Sequence, residues 1–116
     1  MKIFISGPMT GYPNFNREAF HTLAAGLRSF GYTVLSPAEN APPTDPDSWS
    51  AWMKLSITQL MQADVVVTLP GWIDSTGALI EVDLSYSLDL PVFASERDHF
   101  YNSLSAQAGK FRARSA

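Results

Sequence analysis

The sequence predicts an α/β fold in three layers, with a parallel sheet of four to five strands between helices. Three observations carry this. Short apolar runs alternate with runs of helical periodicity along almost the whole chain. The run Asp64-Val-Val-Val-Thr-Leu69 is apolar without alternation, as a strand covered on both faces must be. Gly- and Pro-rich segments punctuate the junctions.

The elements follow in order. Lys2 to Ser6 reads as a first strand, and Gly7 to Asn14 as a loop. A helix is expected from about Asn16 to Phe30, because Phe20, Leu23, Ala24, Leu27 and Phe30 recur at helical spacing. Gly31 suits its C-cap. Tyr32 to Ser36 reads as a second strand. Pro37 to Asp47 holds four prolines and reads as a loop or lid. Ser48 to Gln62 reads as a second helix with Trp49, Trp52, Met53, Ile57, Leu60 and Met61 facing inward. A third strand spans Asp64 to Leu69, a third helix about Ser75 to Asp89, and a fourth strand Leu90 to Ala94. Asp98 is placed to cap a short helix through about Ala108, with a disordered tail beyond. Alternation of this kind joins parallel strands by right-handed crossovers and gives a flavodoxin-like or Rossmann-like sandwich.

Composition bounds the function. A chain of 116 residues fits one domain, divided here into 1–95 and a C-terminal helix or tail, 96–116, of the same domain. With 46% apolar and 16% charged residues it is globular. A net charge of −3 gives no field for a nucleic acid polymer. Lys110, Arg112 and Arg114 read as a solvated end. There is no cysteine, so disulfides and thiolate chemistry are excluded. His21 and His99 have no ligand spacing, so no metal and no cofactor is expected. Met-Lys-Ile-Phe-Ile enters a strand directly, and no membrane-length apolar run follows. The expected location is cytoplasmic, with no membrane partner.

The segment Leu69-Pro-Gly-Trp-Ile-Asp-Ser-Thr-Gly-Ala-Leu-Ile-Glu81 concentrates the chemistry. It lies at the carboxyl end of a strand, where open α/β sheets bind ligands. Asp74, Ser75 and Thr76 are all good N-caps for the third helix. Glu81 then falls one to two turns inside. A capping-box glutamate would need its cap at Ala78, a poor choice. Glu81 is either an exposed or subunit-paired helix glutamate, or a carboxylate aimed at the crevice that serves as nucleophile or base. Gly7, Pro8, Met9, Thr10 and Gly11 follow the first strand, where amides and a hydroxyl suit a phosphate or sugar, although a plain turn explains them equally. Tyr12 and Trp72 lie on the two loops and either stack on a base or pack the loops together. Trp49 and Trp52 read as core or interface, and Ser56 sits on their stripe.

These residues carry a resemblance. Residues 3–11, 14–16, 31–39, 63–67 and 69–81 together resemble the nucleoside 2-deoxyribosyltransferase superfamily, in its small phage and bacterial branch. GPMTG and LPGWxxSxGAxxE are its most specific pieces. The resemblance implies a flavodoxin-like fold and N-glycosidic cleavage in a 2′-deoxynucleoside or its 5′-monophosphate. It implies Glu81 as nucleophile, with base transfer or hydrolysis completing the reaction. Gly7 to Tyr12, Pro70, Gly71, Trp72, Ser75 and Gly77 would bind substrate. It also implies a homo-oligomer with a shared site, in a bacterial cell or phage-infected host. The apolar faces of the second and third helices, with Trp49, Trp52 and Tyr86, would support that assembly.

Two positions depart from the pattern. Relatives often carry a tyrosine near the end of the first strand that touches the nucleophile, and Phe4 aligns there. Relatives carry an aspartate in the second helix that serves the leaving base, and Ser56 aligns there. Losing a positioned acid costs ~10²–10⁴-fold. Asp74 or Asp64 is the expected substitute. The alternative is a nucleotide-binding protein of the same fold with little or no turnover. An unrelated flavodoxin-like response module ranks last, since the acidic cluster that magnesium would need is missing.

Overall fold

The computed structural model describes residues 1–115. The elements are β1 (Lys2–Ser6), α1 (Arg17–Ser29), β2 (Thr33–Leu35), α2 (Trp49–Leu60), β3 (Val65–Thr68), α3 (Thr76–Ser87), β4 (Val92–Ala94) and α4 (Phe100–Ser115), with short 3-10 turns at Pro13–Asn16, Pro37–Glu39 and Trp72–Asp74. The four strands form one parallel sheet in the order β2-β1-β3-β4. Helices flank it, so the fold is flavodoxin-like. The order reverses between β1 and β3, and a ligand crevice is expected above the carboxyl ends of those two strands.

Side-chain alternation along the strands divides the molecule. Ile3, Ile5, Val65 and Val67 point to one face and pack with Phe20, Leu23 and Leu27 of α1 and Phe100 and Leu104 of α4. Phe4 and Val66 point to the other and pack with Leu60 of α2. The register pairs Phe4 with Val66 and Ser6 with Thr68, so the two polar strand ends stand side by side on this second face.

Local chemistry sets the helix ends. Gly31 has φ +88° and ends α1 by donating to the Arg28 carbonyl at 2.9 Å, the left-handed stop expected of it. Ser48 caps α2 through the Ala51 amide. Ser75, rather than Asp74 or Thr76, caps α3 through the Ala78 amide at 3.3 Å.

Two expectations are corrected. The C-terminal helix starts at Phe100, after His99 at φ +61°, not at an Asp98 cap. It runs on through Ser115 rather than stopping at Ala108. Phe100, Leu104 and Ala108, four apart, are buried and hold it to the sheet. The last residue of the expected tail, 116, lies outside the described residues. On α2, only Ser56 and Leu60 are buried, while Met61 and Trp49 are about half exposed. Trp49, Trp52 and Met53 face open space rather than core, while Leu60 packs in the core as expected.

Candidate active site

That open space is a cavity of about 840 Å³ between the carboxyl end of the sheet, α2 and the start of α3. It falls within the ~300–1,000 Å³ usual for small-molecule sites. Gly7, Met9 and Thr10 of the loop after β1 line one side. Trp49, Trp52, Met53 and Ser56 of α2 form the apolar wall. Asp74, Ser75, Gly77 and Glu81 close it from the β3–α3 junction.

Glu81 sits six residues after the Ser75 cap, too far on for a capping box. It is only 4% exposed. The hydroxyl of Ser6, at the end of β1, donates to Glu81 Oε1 at 2.7 Å. Desolvation pushes the carboxyl up to about 7, against the hydroxyls of Ser6 and Ser56, which hold it down. The two hydroxyls are not equivalent. Ser56 Oγ donates to the Trp52 carbonyl one turn back, at 3.1 Å, and must rotate to serve the carboxylate. Ser6 is already aimed at it. The group is therefore divided between ionised and neutral forms near pH 7.

Backbone approach builds the rim. A Cβ on Gly7 would lie 2.8 Å from Leu69 Cβ, so glycine lets the loops after β1 and β3 close on each other. Gly71 has φ +87°, and a Cβ there would meet the Tyr12 hydroxyl at 2.7 Å.

Several expected residues stand elsewhere. Pro8, Gly11, Tyr12, Pro70, Gly71 and Trp72 do not line the cavity. Tyr12 packs on Gly71 instead, the loop-packing alternative. Phe4 is fully buried among Leu60, Ala63 and Val66 and does not line the cavity. Ser6, two residues further along the same strand face, reaches the carboxylate in its place. Asp64 accepts from the Lys2 amide at the opposite end of β1 and does not line the cavity. Asp74 does.

The sequence did not single out Ser6, Asn40 or Asp47, and treated Trp49 and Trp52 as core or interface. All but Ser6 line the cavity. The signals were a polar end on an apolar strand and an apolar helical stripe wider than one core can use. The proline-rich loop supplies Asn40, Pro46 and Asp47 to the lining. Its end is fastened by the Trp52 indole N–H donating to the Pro46 carbonyl at 2.7 Å. Among the described residues no cluster of three metal-ligating side chains occurs. Nor is any helix among them long and apolar enough to cross a membrane.

A family model described as "Domain of unknown function (DUF4406)" matches residues 1–94. The chain belongs to this family. No curated protein matches this DUF4406 member. Among solved structures it is similar to a 2-deoxyribosyltransferase from the psychrotolerant bacterium Bacillus psychrosaccharolyticus. The identity is 26%, the match covers 81% of this chain and 71% of that one, and the TM-score is 0.66. It is also similar to a conserved protein from Enterococcus faecalis V583, at 20% identity over 93% of this chain and 74% of the other, with a TM-score of 0.62. The second match shows the fold alone. The first shows the DUF4406 chain to be nucleoside 2-deoxyribosyltransferase-like, as its motifs implied.

Proposed function

We propose that this protein cleaves or transfers at the N-glycosidic bond of a 2′-deoxynucleoside or its 5′-monophosphate, with Glu81 as nucleophile. The observation that carries this is the Glu81 carboxylate, buried at the cavity and held by the Ser6 hydroxyl. Likeness to a 2-deoxyribosyltransferase supports the substrate class.

A Glu81 oxygen attacks the anomeric carbon. The C–N bond breaks through an oxocarbenium-like transition state, and its electron pair leaves with the base, which takes up a proton. A deoxyribosyl ester on Glu81 results. Water or a second base then attacks the same carbon, and the ester C–O bond breaks to regenerate the carboxylate. This parallels retaining glycoside hydrolysis. Ser6 favours the ionised form of the attacking group and orients it. Trp49, Trp52 and Met53 offer the base an apolar wall. Asp74 and Asp47 line the cavity and are the candidates to protonate the leaving base. Other substrate contacts come from Gly7, Met9, Thr10, Ser75 and Gly77. A homo-oligomer belongs to this proposal, and a monomer by light scattering at micromolar concentration would remove it.

The test is incubation with the four 2′-deoxynucleosides and their 5′-monophosphates, with and without a second free base, followed by chromatography. Base exchange identifies a transferase, and base release alone a glycosidase. Either is expected to fall by at least about 10³-fold in Glu81→Ala, toward the upper end for loss of a positioned reacting group. Turnover that survives Glu81→Ala would sink the nucleophile assignment. A second reading, a binding protein without turnover, rests on Ser56, which supplies a hydroxyl bonded to its own helix where a carboxylate is needed. Nucleotide binding without exchange or release would favour it.

A further inference from the structure

Arg17 is the cation of this cavity. Among the described residues no other lysine, arginine or histidine lines it. Arg17 makes no ion pair among the described residues, where the one bridge joins Arg28 to Glu39. The two carboxylates that share the cavity apart from Glu81, Asp47 and Asp74, leave its guanidinium unpaired.

The guanidinium is nonetheless held in place. Asn14 Oδ1 accepts from Nη1 at 3.0 Å, and the Phe15 ring lies 5.1 Å below the guanidinium carbon. The Asn16 amide donates to the Pro8 carbonyl at 2.9 Å and ties this lip to the loop after β1. The lip itself is strained. Asn14, Phe15 and Asn16 are three consecutive non-glycine residues at positive φ, of 49°, 54° and 61°. Such conformations are costly, persist only where the surroundings dictate them and gather at ligand clamps. One hydrogen bond leaves most of the five guanidinium donors uncommitted. The cavity is thus divided: apolar α2 residues on one wall, and Gly7, Thr10 and Arg17 on another.

We infer that Arg17, set on the Asn14–Asn16 lip, is a phosphomonoester subsite that selects 2′-deoxynucleoside 5′-monophosphates over free nucleosides. This rests on the proposed function for the placement of the sugar at Glu81, but the subsite is testable without turnover. A guanidinium meets a phosphate with parallel N–H donors and with opposite charge, and a neutral ribose hydroxyl or base edge lacks that charge. Charge-assisted hydrogen bonds of this kind give about 10- to 100-fold in affinity.

The experiment measures binding of 2-deoxyribose 5-phosphate and of 2-deoxyribose by calorimetry, since neither probe has a base to lose. The wild type is expected to prefer the phosphorylated sugar by at least about tenfold. Inorganic phosphate should compete with it, and added salt should weaken it. Arg17→Ala and the longer Arg17→Gln should abolish the preference, and Arg17→Lys should keep part of it. Circular dichroism would confirm that each variant is folded. Equal binding of the two sugars, no competition by phosphate, or a preference that survives in both neutral variants would each overturn the subsite. An Arg17-dependent phosphate preference without turnover of any nucleotide would sink the catalytic proposal and leave the subsite standing. Turnover confined to unphosphorylated nucleosides would do the reverse.

Discussion

The two faces of one sheet do different work. The face under α1 and α4 gathers twelve buried core residues in one cluster, whereas the face under α2 and α3 gathers four. Stability is therefore concentrated on the first face. The second gives up packing at its carboxyl end, where Ser6, Thr68 and Glu81 are buried beside a cavity instead of more aliphatic side chains. Neighbours along β1 show how sharply the division falls. Ile5 completes the closed core, and Ser6, one residue on, holds the candidate nucleophile. Strand alternation alone separates the two roles.

The largest break expected on the closed face is Phe20→Ala. Phe20 is fully buried, and its truncation should cost about 3–5 kcal/mol by denaturant unfolding. The pH dependence of activity should not move. A shifted profile would mean that the faces are coupled and that the division drawn above is wrong.

Glu81→Gln sharpens the comparison from the other side. The folded carboxyl titrates near 7, above its ordinary value of 4.5, because it is desolvated. The folded state therefore holds the proton more tightly than the unfolded chain. The stability that Glu81 contributes should be greatest below pH 4.5, fall as pH rises to about 7, and level off above. Glutamine removes that loss. At pH 8 the variant should be more stable than wild type by on the order of 3 kcal/mol, with the gap vanishing near pH 4. A gap of the same size at both pH values would show that ionisation is not its source.

The smallest effects belong to the hydroxyls. Ser6→Ala removes a donor aimed at the carboxylate, so the rising limb of the pH–rate profile should move above 7. The rate at pH 7 should drop about 5- to 10-fold and largely return at pH 9. Ser56→Ala should change both by less, because that proton serves the Trp52 carbonyl. A larger effect at Ser56 than at Ser6 would reverse the roles assigned to them.

Much of this was legible in the sequence. The strand at Lys2–Ser6 and the Gly31 stop are where periodicity and turn chemistry put them. So is the α3 cap within a choice of three residues, and Glu81 falls inside the crevice that the fold class demands. What escaped was parity and emptiness. Phe4 and Ser6 share a strand face, and only the depth of the helix above decides which one meets Glu81. A stripe such as Trp49, Trp52 and Met53 has the same spacing whether it faces core or a void. The lip that carries Arg17 escaped because it depends on three residues in a conformation that propensity disfavours.

The C-terminal helix has a last consequence. The family match ends at residue 94, but the hydrophobic core does not. Phe100 and Leu104 belong to the larger cluster, and Tyr101 lies against α1, its ring 4.8 Å from that of Phe30 and its hydroxyl 2.8 Å from where a Gly26 Cβ would stand. The family match and the packed core thus have different borders in this chain. A version trimmed to the family border would keep every residue of the candidate site and yet uncover one side of the sheet that supports it.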